Sequence, residues 1–222
     1  MPTPGRRALP PAAPAAGAVS VNTLLLHGAT KPLVFAAALL PLALLSWGAA
    51  ADTLGANPAE ALIRSAGDWT LRFLCLTLAV TPLRQWTGWH ALARLRRMLG
   101  LFTFFYGVVH FLCFAWLDMG FEIDAIVLDI GKRPFILVGT AALLSMLPLA
   151  ATSFNRAIRA LGAKRWQALH RAVYGTALLA LLHFFWMRAG KNDFAEVAVY
   201  AAVIALLLGW RLWRRIGTHV SA

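Results

Sequence analysis

Long apolar runs alternate with short polar or basic connections along most of this chain. A helix needs about 20 mainly apolar residues to cross roughly 30 Å of hydrocarbon. The pattern predicts six such helices, near residues 32–50, 69–83, 98–117, 134–151, 166–187 and 195–213. The second run is the shortest and contains Arg72, but its LRFLCLTLAV segment is too apolar for a loop.

Composition supports this interpretation, since 60% of the 222 residues are hydrophobic and only 14% are charged. That balance is typical of an integral membrane protein and excludes ordinary soluble domains. We therefore predict an all-α fold, a six-helix transmembrane bundle over residues 31–215. Residues 1–30 begin MPTPGRRALPPAAPAAGA and are too rich in Ala and Pro to bury a core, so we expect a disordered tail there, and a second short tail at 216–222.

The lysines and arginines predict the orientation of the bundle. Most of them, 15 of 21, fall on the face that carries both termini: Arg6, Arg7, Lys31, Arg84, Arg94, Arg96, Arg97, Arg156, Arg159, Lys164, Arg165, Arg171, Arg211, Arg214 and Arg215. The other 6 and all 9 acidic residues fall on the opposite face. Both termini are therefore expected in the cytoplasm. The net charge of +12 follows from this topology and favours anionic lipid, without indicating nucleic-acid binding.

Three histidines, His110, His170 and His183, fall within the predicted spans, where the one carboxylate is Glu196, the second residue of the last span. Ionisable groups at that depth usually mark function. Proton-coupled transport normally needs an intramembrane Asp or Glu, and zinc favours a close cluster with thiolates or carboxylates, so neither fits well. Haem fits better, because its iron takes a neutral imidazole on each face from two different helices. An iron with two axial histidines carries electrons and has no open position for a substrate.

Depth in the membrane favours one pair of histidines. His110 is 13 residues from the inner anchor Arg97, and His183 is 18 residues from Arg165, whereas His170 is only 5 residues from Arg165. At 1.5 Å per residue, His110 therefore matches His183 in depth better than it matches His170. We predict one haem held by His110 and His183 in the outer half of the bundle.

His170 then lies near the inner face without an obvious partner. The positions on the third helix at the matching depth are Arg96 and Arg97, and a guanidinium does not ligate iron. Three interpretations of His170 remain open: a metal ligand with an unusual partner, a neighbour of a flavin or quinone, and a structural hydrogen bond to another helix.

Several cations are candidates for binding the acidic groups of cofactors. Arg72, Lys132 and Arg133 are expected at the outer level, where they could pair with haem propionates. Snorkelling to the interface is the alternative for Arg72. On the inner side, a flavin phosphate could bind the basic loops, although topology alone also explains their charge. Those loops carry Arg94, Arg96, Arg97, Arg156 and Arg159.

The outer segment 118–133 is the candidate docking surface for a partner. Its apolar residues Ile123, Ile126, Val127 and Ile130 recur with helical spacing, which predicts a short helix on the membrane surface. A loop packed over the mouth of the bundle is the alternative.

Six strings resemble the MsrQ family, the haem-binding membrane subunits of bacterial periplasmic methionine sulfoxide reductase systems: NPAEALIRSAGDW, TPLR, RRMLGLFTFFYGVVHF, DIGKRPFILVG, TSFNRAIRALGAKRWQALHRAVY and LHFFW. That family is similar to the transmembrane domains of ferric reductases and NADPH oxidases. The match covers about residues 30–215 in the same order. The long Ala/Pro tail and TPLRQ, where a second basic residue is expected, depart from the family pattern.

The resemblance implies haem b and FMN as cofactors, with the functional histidines at His110, His170 and His183. It implies a non-catalytic electron-transfer subunit in the bacterial inner membrane. Electrons would come from a cytoplasmic flavin reductase or the membrane quinone pool. They would pass to a periplasmic molybdopterin-containing methionine sulfoxide reductase, which repairs oxidised envelope proteins.

Two other functions remain open at this stage. A stand-alone ferric or quinone reductase, a transmembrane cytochrome b, would share the fold, and a transporter or assembly protein without a cofactor would use the histidines structurally. The predicted loops are too short for a nucleotide-binding domain, whose βαβ unit alone needs about 30 residues. Electrons must therefore enter from one molecule and leave to another.

Overall fold

The computed structural model describes residues 20–190 and 192–220. These residues form nine α-helices: α1 (Val21–Leu26), α2 (Thr30–Ala50), α3 (Pro58–Thr87), α4 (Ala93–Cys113), α5 (Ile123–Lys132), α6 (Pro134–Ala151), α7 (Asn155–His170), α8 (Val173–Ala189) and α9 (Ala195–Val220). A 3₁₀ turn at His90–Leu92 precedes α4, and a π-helical turn at Phe114–Asp118 extends it. The described ranges contain no strand, so the all-α prediction is confirmed.

Five helical segments of the described chain are long and apolar enough to cross a membrane: Thr30–Ala50, His90–Asp118, Pro134–Ala151, Asn155–Ala189 and Ala195–Arg214. The predicted second span lies in α3, which is not among the five. Its 30 residues suffice in length, but Asp68 and Arg72 lower its hydropathy. The count of six spans therefore stays a prediction.

Helix α3 begins earlier than the apolar pattern predicted, at Pro58 and not near residue 69. The Asn57 side chain accepts a hydrogen bond from the Glu60 N–H at 3.1 Å and caps the helix. Pro58 follows at the first helical position, where the missing N–H costs nothing. The polar stretch before residue 69, which the apolar pattern assigned to a connection, is therefore part of the helix.

The predicted helix 166–187 is wrong as one continuous element. Helix α7 ends at His170 and α8 begins at Val173, so His170 and His183 lie on different helices. Within α7, Gly162 has a φ of +73° and breaks the helical path. The Trp166 indole N–H donates to the Thr152 carbonyl at 3.0 Å, which fixes α7 against the end of α6.

The expected disordered tail does not extend to residue 30, although residues 1–19 lie outside the described residues. The Asn22 amide donates to the Gly88 carbonyl and accepts from the Ala91 N–H, both at 3.1 Å. The Leu25 carbonyl accepts from Arg94 at 3.0 Å. These bonds hold α1 against the turn that leads into α4. The end of the chain also differs, because α9 continues through the expected tail to Val220.

Two ends of the bundle can be distinguished without reference to a membrane. At one end, called the α7 end, α1 and α7 meet the start of α4, where Arg97 donates to Asn155 at 2.6 Å. At the other end, called the α5 end, the short helix α5 joins the end of α4 to the start of α6. Its residues Ile123 and Val127 are 68% and 64% exposed, whereas Ile126 is buried. A short helix is therefore present at the predicted position, and its place on the membrane surface stays a prediction.

Buried side chains pack α4 and α8, the helices of His110 and His183, against a common neighbour, α3. One cluster joins α3, α8 and α9 through Leu71, Leu74, Leu78, Ala177, Phe184, Val197 and Ile204. A second joins α2, α3 and α4 through Ala38, Phe73, Phe102 and Tyr106. The hydroxyls of Ser145 and Thr176, 2.7 Å apart, link α6 to α8. These contacts fix α4 and α8 in the positions from which their histidines meet.

Candidate functional site

His110 on α4 and His183 on α8 lie side by side towards the α5 end of the bundle. Their ring centroids are 6.0 Å apart, and the ring planes make an angle of 73°. The two residues that the sequence matched in depth are therefore neighbours in the fold.

Each of these imidazoles is fixed by a helix backbone. His110 donates through its Nδ1–H to the Ile63 carbonyl at 2.8 Å, and His183 donates through its Nδ1–H to the Phe135 carbonyl at 2.6 Å. Because a carbonyl only accepts, the proton belongs on Nδ1 in both rings, and Nε2 keeps a free lone pair. A hydrogen bond of this kind is the usual support of a metal-ligating histidine.

The spacing of the rings fits a single metal ion between them. Metal–imidazole bonds are about 2 Å long, so two rings on opposite faces of one ion have centres roughly 6 Å apart. The observed 6.0 Å agrees with that separation. Two neutral imidazoles from two helices are also the donor set that a six-coordinate haem iron takes. The residues of the pair therefore fit haem.

His170 lies apart from this pair, beside a cavity of about 260 Å³ at the α7 end. Its ring stacks on Trp166 with centroids 3.9 Å apart and planes at 27°. Its Nδ1 is 3.0 Å from the Trp166 carbonyl, and its Nε2 is 3.4 Å from the Ser153 hydroxyl. The structure thus separates His170 from His110 and His183.

The cavity beside His170 has an apolar body and one basic wall. Leu74, Phe104 and Met146 contribute apolar lining, and Arg96 and Arg97 from the start of α4 contribute the charge. These arginines occupy the depth at which a second axial histidine would be needed. An elongated aromatic molecule with an anionic end matches this lining better than a second haem with two histidine ligands.

Two of the predicted outer cations, Arg72 and Arg133, lie in different parts of the structure. Gly67 contacts the His110 ring, and Arg72 is five residues further along α3, so Arg72 lies nearer the α7 end than His110 does. Because α3 starts earlier than predicted, Arg72 lies well inside this helix and not near its first residues. Its guanidinium lies over the Trp69 ring at 4.7 Å. Arg133 is at the α5 end and pairs with Asp129 at 2.9 Å.

Arg188 is a buried cation. The sequence placed it among the six cations of the outer face and predicted no role for it. It is 4% exposed, lies over the Phe184 ring, and bonds the carboxylates of Asp193 and Glu196. The spacing of an arginine at the end of a span and two acids at the start of the next is the signal that could have identified this network.

Comparison with known proteins places the chain in a family. Residues 66–181 match the family described as ferric reductase like transmembrane component. A protein-methionine-sulfoxide reductase heme-binding subunit MsrQ from Polaromonas naphthalenivorans is 66% identical over 189 residues, covering 85% of this chain and 86% of the relative. The chain belongs to the MsrQ family.

More distant relatives carry the same description. The MsrQ protein of Bordetella pertussis is 57% identical over 86% of this chain and 93% of its own length. That of Xanthomonas campestris pv. campestris is 47% identical over 86% of this chain and 89% of its own length. No solved structure is significantly similar to the chain. The ferric reductase-like segment contains His110 and His170, and His183 follows two residues after its end.

Proposed function

We propose that this chain is the haem-binding subunit of a methionine sulfoxide reductase system and that His110 and His183 are the axial ligands of a haem b. The observation that carries the proposal is the 6.0 Å spacing of the two rings, each with its Nδ1 held by a backbone carbonyl. The relatives are likewise described as heme-binding subunits.

When bound, the haem supplies one-electron transfer. Because both axial positions would be filled by histidine, the iron would offer no site for a substrate, and the chain would act as an electron-transfer subunit without a catalytic residue. The protein's own contribution is to hold both imidazoles as Nε2 ligands, to keep water away, and to fix the depth of the iron. Arg133 stays a predicted partner of a haem propionate. Arg72, although it lies further along α3 than predicted, stays one too.

We propose that electrons cross the bundle from the α7 end to the α5 end. We count α3 as the sixth span, which places both termini in the cytoplasm and the α5 end in the periplasm of a bacterial inner membrane. A cytoplasmic flavin reductase or a membrane quinol then supplies electrons at the α7 end. A periplasmic molybdopterin-containing methionine sulfoxide reductase accepts them at the α5 end. The exposed residues of α5 form the docking surface, and oxidised envelope proteins are repaired by that partner.

The cavity at the α7 end is the proposed site of FMN, an entry point for electrons. Arg96 and Arg97 would bind the phosphate, since guanidinium groups match phosphate geometry. The stacked pair of Trp166 and His170 would lie beside the flavin ring. His170 as a metal ligand is the alternative, and it would then need a partner other than histidine.

Three alanine variants test the haem assignment. His110→Ala and His183→Ala should each lose haem on purification, whereas His170→Ala, the matched control, should retain one six-coordinate haem. Absorption spectra of the oxidised and reduced proteins and a pyridine haemochrome assay measure this. A His110→Ala protein that keeps a full complement of six-coordinate haem would show that the assigned ligand pair is wrong.

A further inference from the structure

The two histidines are supported by the same short pattern on two different helices. On α3 the accepting carbonyl belongs to Ile63, and the residue four positions later is Gly67. On α6 the accepting carbonyl belongs to Phe135, and the residue four positions later is Gly139. The same arrangement, a histidine bonded to a helix carbonyl with a glycine four residues after that carbonyl, therefore occurs twice.

The geometry of an α-helix explains why a glycine recurs at this spacing. Each Cα–Cβ bond leans towards the helix N-terminus, so the side chain at position i+4 covers the turn that presents the carbonyl of residue i. A Cβ added to Gly139 would lie 2.7 Å from His183 Nδ1, and one added to Gly67 would lie 3.1 Å from His110 Nδ1. Real Cβ atoms essentially never come as close as the first distance.

We propose that Gly67 and Gly139 are positioning residues for the two axial histidines, an inference that rests on the proposed haem site. Each glycine lets an imidazole approach a helix carbonyl closely enough to donate its Nδ1–H. That bond selects the tautomer with a free Nε2 and fixes the rotation of the ring. The two bonds together set the angle of 73° between the rings.

Substitution by alanine tests this role, because it adds only the Cβ. Gly139→Ala requires the His183 ring to move away from the Phe135 carbonyl. Gly67→Ala requires a smaller shift of His110. Gly175→Ala is the matched control, since Gly175 lies on α8 with His183 and a Cβ there meets nothing within 4 Å. The three full-length proteins are purified after expression with added haem.

The decisive readouts report the ligand geometry directly. The low-spin EPR spectrum of the ferric haem depends on the angle between the axial rings, and the midpoint potential depends on the hydrogen bonds to them. We expect Gly139→Ala to shift both and to weaken haem retention about tenfold or more, the usual cost of losing such a support. Gly67→Ala should change them less, and Gly175→Ala should match the wild type.

Each outcome decides between the proposals. An EPR spectrum and midpoint potential of Gly139→Ala identical to those of the wild type would overturn the positioning role while leaving the histidine ligands in place. A wild-type protein without a bis-histidine haem would overturn the proposed function, and the positioning role with it. If Gly139→Ala does not fold, Gly67→Ala decides by the same readouts, with thermal unfolding as the check on its fold.

Discussion

The imidazole of His170 stacks on the indole of Trp166, one helical turn away, with ring centroids 3.9 Å apart and planes at 27°. This stacked pair lines the cavity at the α7 end together with Arg96 and Arg97 from the start of α4. A flat aromatic surface and a pair of guanidinium groups are the two features on which the proposed FMN site rests.

Arg96→Ala should weaken FMN binding by about tenfold or more, since a hydrogen bond to a charged group is worth about 1.5–3 kcal/mol. Riboflavin lacks the phosphate, so the wild type should prefer FMN to riboflavin and the variant should lose that preference. Flavin fluorescence titration of the purified protein measures both affinities. Arg165→Ala is the control, since Arg165 is an exposed arginine on α7 outside the cavity lining. An unchanged preference in Arg96→Ala would remove the phosphate site from this cavity.

Tyr106→Phe should destabilise the bundle although it removes a single oxygen atom. The Tyr106 hydroxyl is fully buried, donates to the Ala38 carbonyl at 2.8 Å, and accepts from the Leu42 N–H at 3.2 Å. These two groups, one turn apart in α2 beside Pro41, would be left without that partner. We expect a loss of about 1–3 kcal/mol in the free energy of unfolding.

Denaturant unfolding in detergent would measure this loss. Tyr200→Phe is the control, because Tyr200 contacts Phe184 through its ring. Equal stabilities for Tyr106→Phe and the wild type would mean that the two hydrogen bonds of the Tyr106 hydroxyl to the α2 backbone do not stabilise the fold.

Removing the two acids of the Arg188 network should destabilise the protein more than removing the arginine. The Arg188 side chain is 5% exposed, whereas those of Asp193 and Glu196 are 46% and 53% exposed. Replacing both acids by alanine strands a buried cation and should cost about 3 kcal/mol. Arg188→Met keeps much of the side-chain volume and leaves two hydrated carboxylates, so it should cost less. Thermal unfolding of both variants gives the order, and the reverse order would contradict it.

Ile123→Asp and Val127→Asp should impair electron delivery to the proposed periplasmic partner without loss of the proposed haem. Both side chains are exposed apolar groups on α5, and a carboxylate there would have to be desolvated on docking. Methionine sulfoxide turnover in membranes that contain the partner measures coupling. Haem content serves as the control, since α5 carries neither of the proposed axial histidines. Unchanged turnover in both variants would exclude α5 from the docking surface.

The apolar pattern predicted most of the fold because each transmembrane helix must satisfy its own backbone within lipid. It located α6 at its observed bounds and placed α2 and α9 closely. It failed where polar residues continue a helix, as in α3 after the Asn57 cap, and where a helix is interrupted without proline, as between His170 and Val173. Both errors arise from contacts that hydropathy does not record.

The sequence by itself determined that His110 and His183 lie in apolar helices and match in depth, since rise per residue along a helix is fixed. It could not determine which way the rings face, because rotation of one helix about its axis depends on packing against its neighbours. Only the tertiary structure placed His110 and His183 at 6.0 Å, each bonded to a carbonyl beside a glycine. Those glycines look unremarkable in the sequence, since their importance lies in the space that another helix fills.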